Sequence, residues 1–367
     1  MKKLLLLSLV TALIVSCSSD PRYVVKGELA GIDEGMAYLQ KRESGQFVIF
    51  DSATVEDGIF EIAGGSVDYP DVYYLSLAGK RGYLMLFLEN AKLEVTGHAD
   101  SIYLAGVEGS SAQDDYKKYN DGLQGFYDRN RELFEQIREE RQAGNDERVA
   151  ELEEERNFLY EEINDYNVEF IESNPASYAT PMILRSISYE LNGEELESYV
   201  GQLDPKLLDT QTIIDLKDRI EKLKKVAIGE IAPDFTQNDQ EGNPVSLSDV
   251  LEGPELLLID FWAAWCGPCR QENPNVVAVY NEFHDKGFDV LGVSLDREKD
   301  DWLKAIEDDN LTWTHVSDLK FWENEAAQMY AVNSIPANFL VDSEGKIIAA
   351  NVRGPELREK VAEILGE

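Results

Sequence analysis

The chain has 367 residues, and its 71 acidic against 34 basic side chains give a formal net charge of −37. This charge excludes a nucleic-acid binder as the leading interpretation, because neutralising phosphates requires clustered Lys and Arg. With 43% hydrophobic residues the chain can bury substantial cores, and its length predicts two or three domains. The three cysteines, Cys17, Cys266 and Cys269, are too few for a framework of disulfides.

The N-terminus carries a targeting pattern. A basic start at 1–3 precedes an apolar run at 4–15, which is too short for a permanent membrane span. The four residues at 14–17, Ile-Val-Ser-Cys, then resemble the lipobox of bacterial lipoproteins. The resemblance implies a signal peptide at 1–16, lipidation of Cys17, and a periplasm-facing anchor in the inner or outer membrane of the cell envelope. The alternative is a plain signal peptide with an incidental cysteine.

Residues 17–110 are predicted to form an antiparallel β domain, a sandwich or small barrel, because short apolar runs alternate with Gly- and Asp-containing turns. The runs lie at 23–27, 36–39, 47–50, 59–62, 73–77, 83–88 and 93–95. The segments VKGELAG, DSATVEDGIFEIAG and LFLENAKLEVTG resemble an uncharacterised β domain that precedes thioredoxin modules in envelope lipoproteins. That resemblance implies an architecture and no chemistry.

Residues 111–227 are predicted to be an acidic helical region without a catalytic signature. The span 111–200 holds 23 acidic against 9 basic residues. One face of an amphipathic helix is indicated by Val149, Leu152, Leu159, Ile163 and Tyr166. Pro175 and Pro181 interrupt the pattern, and another helix is predicted at 182–189. The acidic runs are interpreted as solvated helix faces, with docking of a basic partner as the alternative.

Residues 228–367 alternate between predicted strands and helices, which indicates an α/β domain with a mixed sheet. The predicted strands lie at 256–261, 288–295, 337–341 and 346–350, and the predicted helices at 268–286, 301–308 and 356–365. The expected fold is therefore multidomain, with an N-terminal antiparallel β domain, a helical middle region and a C-terminal α/β domain.

Cys266 and Cys269 lie where a buried strand gives way to a helix, with Gly267 and Pro268 between them. Two cysteines at i and i+3 across a helix N-terminus can close a disulfide, and the helix dipole lowers the pKa of the first thiol. Zinc binding is disfavoured, because the expected mature chain has no further cysteine to complete a site with this pair apart from the lipidated Cys17, and the three histidines lack ligand spacing. We expect no metal and no cofactor, since the cysteines carry the electrons.

The motifs IDFWAAWCGPCR and SIPANFLVD resemble those of the TlpA/ResA-like thiol–disulfide oxidoreductases, which have a thioredoxin fold. The resemblance covers 228–367 and implies that Cys266 attacks and Cys269 resolves. It also implies that Asp260, six residues before Cys266, or Glu272, three after Cys269, accepts the proton. A buried carboxylate has a raised pKa and can act as a general base near neutral pH.

The same resemblance implies the residues that contact substrate. They are Trp265, Gly267, Pro268, Ile335 and Pro336. In the family, the cis-proline loop lies opposite the cysteines and pairs with the substrate backbone; an ordinary trans proline is the alternative at Pro336. Trp265 is also expected to shield the disulfide.

The leading hypothesis is an envelope reductase of protein disulfides, with cytochrome c maturation as a candidate process. Its expected partners are disulfide-containing envelope proteins and an upstream membrane thiol reductant, with no nucleic acid. The first alternative is a thiol peroxidase of the redoxin/AhpC-TSA type, disfavoured because Ala263 and Ile259 replace the Thr or Ser and the Pro of those enzymes. The second is a non-catalytic envelope scaffold, disfavoured by the intact cysteine pair.

Overall fold

The structure is a computed structural model that describes residues 22–43 and 45–366. It contains a β domain, a helical middle region and a C-terminal domain with a mixed sheet, so the predicted fold class is confirmed. The predicted signal peptide and Cys17 lie outside the described residues. Over the described ranges, none of the helices combines the length and the apolar character needed to cross a bilayer.

The described part of the N-terminal domain contains eight strands. They are β1 (Val24–Ala30), β2 (Glu34–Glu43), β3 (Gln46–Glu56), β4 (Ile59–Ala63), β5 (Asp71–Leu77), β6 (Leu84–Leu88), β7 (Lys92–His98) and β8 (Gly106–Glu108). Each of the seven predicted runs overlaps a strand, with Tyr23 and Tyr83 lying one residue before β1 and β6, and β8 is an addition. Alternate side chains point to one face of the sheet, where residues such as Val25, Leu39 and Leu75 form the core.

The strands of this domain follow the order β6-β5-β2-β3-β4-β1-β7-β8. Neighbouring strands are antiparallel except for β1 and β7, which run parallel from the pair Val24–Lys92 to the pair Ala30–His98. This pair departs from the predicted antiparallel arrangement. A parallel pair needs a long crossover, and the five strands between β1 and β7 in the chain supply it.

The helical region contains α1 (Ser111–Ala143), α2 (Asp146–Ser173), α3 (Thr180–Ile187), α4 (Gly193–Gly201) and α5 (Gln211–Lys225). The predicted apolar face of α2 is confirmed, since Val149, Leu152 and Leu159 are buried against Leu133 and Ile137 of α1. The predicted break at 180–181 is instead the first turn of α3. A proline is well accommodated there, because the backbone amides of a helix's first turn have no intrahelical acceptor.

The C-terminal sheet has the order β10-β9-β13-β12-β11-β14-β15. Its strands are β9 (Thr236–Asn238), β10 (Pro244–Ser246), β11 (Leu256–Trp262), β12 (Phe288–Ser294), β13 (Thr314–Ser317), β14 (Ala337–Asp342) and β15 (Ile347–Ala350). The helices are α6 (Leu247–Val250), α7 (Gly267–Phe283), α8 (Lys299–Asp308), α9 (Glu325–Met329) and α10 (Pro355–Leu365). Strands β11, β12 and β13 are parallel and the other pairs are antiparallel, as the predicted mixed sheet requires.

Strand β11 positions the site. All seven of its side chains are buried, which is typical of a central strand covered on both faces. Its carboxyl end leads through a short loop into α7, so the loop lies at the edge where the parallel strands end. Helix α7 ends at Phe283, earlier than predicted, because a short 3₁₀ turn and the left-handed Gly287 (φ 99°) follow it.

The chain divides into two compact units. One extends up to Ile163 and includes Ser177–Ala179, and the other comprises Asn164–Ala176 and the residues from Thr180 onward. Helix α5 therefore belongs to the same unit as the C-terminal sheet. Its following residue, Val226, is buried in the core of that sheet.

Candidate active site

Cys266 and Cys269 form a disulfide, with their sulfur atoms 2.05 Å apart. Cys266 is the N-cap of α7, and its Sγ accepts a hydrogen bond from the Cys269 amide at 3.2 Å. Cys266 is only 4% exposed to solvent and Cys269 only 1%. Gly267 and Pro268 open the helix, where the missing amide hydrogen of proline leaves no donor unpaired. The positive end of the helix dipole favours a thiolate at Cys266 after reduction.

The segment before Cys266 is fixed by the end of β12. Both carboxylate oxygens of Asp296 accept hydrogen bonds from the Ala264 amide at 3.1 Å, and Oδ2 also accepts one from Ser294 Oγ at 2.8 Å. Trp265 Nε1 donates to the Leu295 carbonyl oxygen at 3.3 Å. Burial raises the pKa of Asp296, against the opposing effect of its hydrogen bonds. A buried acid thus supports the cysteine loop.

The predicted proline loop lies opposite the disulfide. The Ile335–Pro336 peptide bond is cis. The Ile335 carbonyl oxygen is 3.6 Å from Cys266 Sγ, so the loop and the first cysteine are in contact. The guanidinium of Arg353 donates a hydrogen bond to the Pro336 carbonyl oxygen of the same loop.

Asp260 lies on β11 and is 6% exposed. Burial raises its pKa to about 7; the negative charge of Glu272 acts in the same direction, and the positive charge of Arg353 opposes both. A carboxyl group with this pKa exchanges its proton near neutral pH, which is the property required of a general acid or base.

Glu272 is half-buried in the first part of α7. Its Oε1 accepts hydrogen bonds from the Gly354 amide and from Asn275 Nδ2, both at 2.8 Å. Gly354 precedes α10 and has a φ of 54°, a conformation that favours glycine. Glu272 therefore connects α7 to the start of α10 while its charge acts on Asp260. The structure brings both predicted acids to one electrostatic cluster.

Two residues of the site, Asp296 and Arg353, were not predicted from the sequence. Asp296 follows a buried strand that runs parallel to β11, and the carboxyl ends of adjacent parallel strands meet at one edge of the sheet. Asp296 could therefore have been predicted from the sequence by this rule. Arg353 carries no comparable signal, because it lies in a short link between β15 and α10, far along the chain from Asp260.

Two families match parts of the chain. Residues 228–350 match the AhpC/TSA family, and residues 23–116 match a domain family of unknown function, DUF4369. The thiol-disulfide oxidoreductase ResA of Bacillus thuringiensis subsp. konkukian is 32% identical over 149 residues, which cover 39% of this chain and 80% of that protein. ResA of Geobacillus thermodenitrificans is 34% identical over 122 residues, which cover 33% of this chain and 67% of that protein.

Solved structures also resemble the chain. The crystal structure of the thioredoxin domain of a thiol-disulfide oxidoreductase from Bacteroides vulgatus is 42% identical, with a TM-score of 0.36. The match covers 38% of this chain and 98% of that one.

Proposed function

The chain belongs to the ResA-type thiol-disulfide oxidoreductases, and from this membership we propose that it reduces disulfides of envelope proteins through Cys266 and Cys269. The observation that carries the proposal is the cysteine pair at the start of α7, with the Ile335 carbonyl oxygen 3.6 Å from Cys266 Sγ. Cys266 is the residue next to this loop, so it is the proposed attacking cysteine.

The proposed reaction transfers two electrons to the client. The Cys266 thiolate attacks one client sulfur, a mixed disulfide forms, and the other client sulfur leaves as a thiolate. Asp260 then takes the proton of the Cys269 thiol, and the Cys269 thiolate attacks Cys266 Sγ. The second client thiolate leaves, the client is reduced to a dithiol, and the enzyme holds the Cys266–Cys269 disulfide. An upstream membrane thiol reductant must reduce that disulfide before the next cycle.

Turnover with insulin and dithiothreitol tests this proposal. We expect the full chain to reduce insulin disulfides, Cys266→Ser to abolish the reaction, and Cys269→Ser to accumulate a mixed disulfide with the client. Cys269→Ser protein expressed in the native cell also traps the natural clients. Cytochrome c maturation is the proposed process, and it requires an apocytochrome among those trapped proteins.

The Gly267-Pro268 dipeptide supports the direction of reduction. Such a pair goes with the thioredoxin end of the potential scale, at about −270 mV, and not with the oxidising end at about −120 mV. Equilibration of the full chain in dithiothreitol redox buffers measures the value. A potential near the oxidising end would contradict the proposed direction.

We also propose that Cys17 is lipidated and anchors the protein in the cell envelope, facing the periplasm. The support is the lipobox-like sequence that ends at this cysteine. Mass spectrometry of the native N-terminus tests it, and fractionation of inner and outer membranes assigns the anchor. An unmodified terminus downstream of residue 20 would contradict the anchor.

A thiol peroxidase remains the second candidate, because the AhpC/TSA family matches residues 228–350. In that reaction Cys266 would become a sulfenic acid and then condense with Cys269, releasing water. Ala263 and Ile259 oppose it, because those enzymes have Thr or Ser three residues and Pro seven residues before the reactive cysteine. Consumption of hydrogen peroxide by the reduced enzyme at a rate above that of insulin reduction would favour the peroxidase.

A further inference from the structure

Three aromatic side chains form a cluster beside the cysteine pair, here named the aromatic patch: Trp265, Phe321 and Trp322. The ring centroid of Trp265 lies 5.0 Å from that of Phe321 and 5.8 Å from that of Trp322, and the last two are 5.8 Å apart. Trp265 directly precedes Cys266 and is 47% exposed, whereas Trp262 of β11 is 1% exposed. The patch therefore presents aromatic surface to solvent next to the attacking cysteine.

The backbone that carries Phe321 and Trp322 is held in an unusual conformation. Leu319 and Phe321 have φ values of 57° and 58°, a region that bulky side chains rarely adopt. Such residues persist where the surrounding structure imposes them, and they are concentrated at functional sites. The backbone conformation of the segment at 318–324 is therefore imposed by its contacts with the surrounding structure.

Specific contacts hold this segment. The Asp318 carboxylate accepts hydrogen bonds from the backbone amides of Lys320 and Glu325 and from Asn324 Nδ2, at 3.0 to 3.1 Å. Gln328 Nε2 donates to the Trp322 carbonyl oxygen at 2.7 Å. The Arg297 guanidinium also lies 4.0 Å from the ring centroid of Phe321, a cation–π contact that stabilises the position of the ring.

We propose that the aromatic patch binds an apolar, preferably aromatic, side chain of the client polypeptide within about three residues of its reacting cysteine. The proposal rests on the proposed function, since the client's sulfur must reach Cys266. An extended chain advances about 3.3–3.6 Å per residue, so a side chain one to three residues from the client cysteine reaches rings that begin at Trp265. Aromatic rings attract a further ring in edge-to-face or offset geometry. The patch thereby selects among clients.

The test uses the reduced full chain and three disulfide probes. Two of the probes are disulfide-bonded peptides with one shared sequence, which differ only in having Trp or Ser two residues from a disulfide-bonded cysteine. The third probe is bis(2-hydroxyethyl) disulfide, which has no side chain to occupy the patch. Rates are measured by quenched flow and thiol alkylation. We expect the Trp peptide to react about 3- to 10-fold faster than the Ser peptide, a range typical of one aromatic contact.

The variant Phe321→Leu with Trp322→Leu keeps apolar bulk and removes two rings, and we expect it to bring the ratio of the two peptide rates close to 1. Phe134→Leu, which changes an exposed aromatic residue of α1, is the matched control and keeps the wild-type ratio.

Because the double variant can fail to fold, the ratio of the two peptide rates with the wild-type protein is decisive by itself. Equal rates for the two peptides, with normal reduction of bis(2-hydroxyethyl) disulfide, overturn the patch and leave the proposed function intact. Failure with all three probes overturns the proposed function. A wild-type dimer that the double variant dissociates assigns the patch to a second copy and overturns the proposal.

Discussion

The guanidinium of Arg353 donates a hydrogen bond to the carbonyl oxygen of Pro336, so a cation contacts the loop that lies opposite the cysteine pair. The same charge lowers the pKa of Asp260, opposing the effects of burial and of Glu272. One side chain thus connects the proposed substrate-binding loop with the proposed proton acceptor. A client that pairs with this loop approaches the group that sets the protonation of Asp260.

Arg353→Gln removes this positive charge, and we expect the pKa of Asp260 to rise above its value of about 7. Resolution of the mixed disulfide requires the ionised carboxylate, so its rate profile shifts to higher pH. Arg353→Lys keeps the charge and is the control. Stopped-flow measurement of the resolution step from pH 5 to 9 gives both midpoints, and coincident midpoints would show that Arg353 does not act on the proton acceptor.

Asp260→Asn keeps the size of the side chain and removes the base. We expect resolution to slow by about 10- to 10⁴-fold, the upper limit applying if no other group accepts the proton. Glu272→Gln has a smaller effect on the maximum rate, because an amide oxygen can still accept the hydrogen bonds from Gly354 and Asn275.

The two acids are also distinguished by the pH dependence. The charge of Glu272 raises the pKa of Asp260, so Glu272→Gln shifts the midpoint to lower pH, opposite to Arg353→Gln. Because the groups interact, the midpoints belong to the cluster and not to single residues. If Glu272→Gln resolves more slowly than Asp260→Asn, Glu272 carries the proton and the assignment to Asp260 is wrong.

The raised pKa of Asp260 also determines how the free energy of unfolding should depend on pH. Its pKa is raised in the folded state, so between about pH 4 and pH 7 the folded chain holds a proton that the unfolded chain has released. The free energy of unfolding therefore falls as pH rises through this range. A pKa of about 7 against the ordinary 3.8 corresponds to up to about 4 kcal/mol at pH 8.

Asp260→Asn should remove this loss, so the variant gains stability relative to the wild type at pH 8 and not at pH 4. Urea unfolding of both proteins at the two pH values measures the difference, and the other acidic groups contribute equally to both. Parallel pH dependence in the two proteins would contradict a buried Asp260 with a raised pKa.

The sequence was informative where a function depends on local spacing and uninformative where it depends on tertiary contact. The cysteine pair, the acid six residues before it and the Ile335-Pro336 dipeptide are local motifs, so they were identified. Strand β13 has four residues and no apolar run, so its hydrogen bonds to β12 had no sequence signal. The hydrogen bond from Arg353 to Pro336 joins different elements of the fold, which no periodicity records.

Excision of the C-terminal domain tests its independence. We expect residues 228–367 alone to reduce insulin, because each matched catalytic residue lies in that segment. We also expect this fragment to be less stable than residues 180–367, because it lacks α5 and Val226, which is buried in the core of the sheet. Thermal unfolding and insulin turnover of the two fragments provide the comparison. Activity that requires the β domain would contradict the modular arrangement.

Arg219 of α5 donates hydrogen bonds to two backbone carbonyl groups outside its own helix. Its Nη1 donates to the Ala331 carbonyl oxygen at 3.0 Å, its Nε donates to the Ser188 carbonyl oxygen at 3.2 Å, and its guanidinium lies 5.3 Å from the Tyr189 ring centroid. Ala331 has a φ of 54° and lies four residues before Ile335, so Arg219 supports an unusual turn that leads into the cis-proline loop.

Arg219→Met keeps much of the apolar stem and removes the donors, leaving both carbonyl oxygens without this partner. We expect the free energy of unfolding to fall by about 1–3 kcal/mol, because two part-buried hydrogen bonds from a charged group to backbone carbonyl oxygens are lost. We also expect a higher KM for insulin with little change in kcat, because the loop that contacts substrate loses its support while the cysteines do not change.

Lys222→Met, on the same helix and in a surface ion pair with Asp218, is the control, with an expected loss of about 1 kcal/mol or less. Urea unfolding and insulin kinetics measure both quantities; equal effects of the two variants would show that Arg219 is an ordinary surface cation and that α5 does not support the loop.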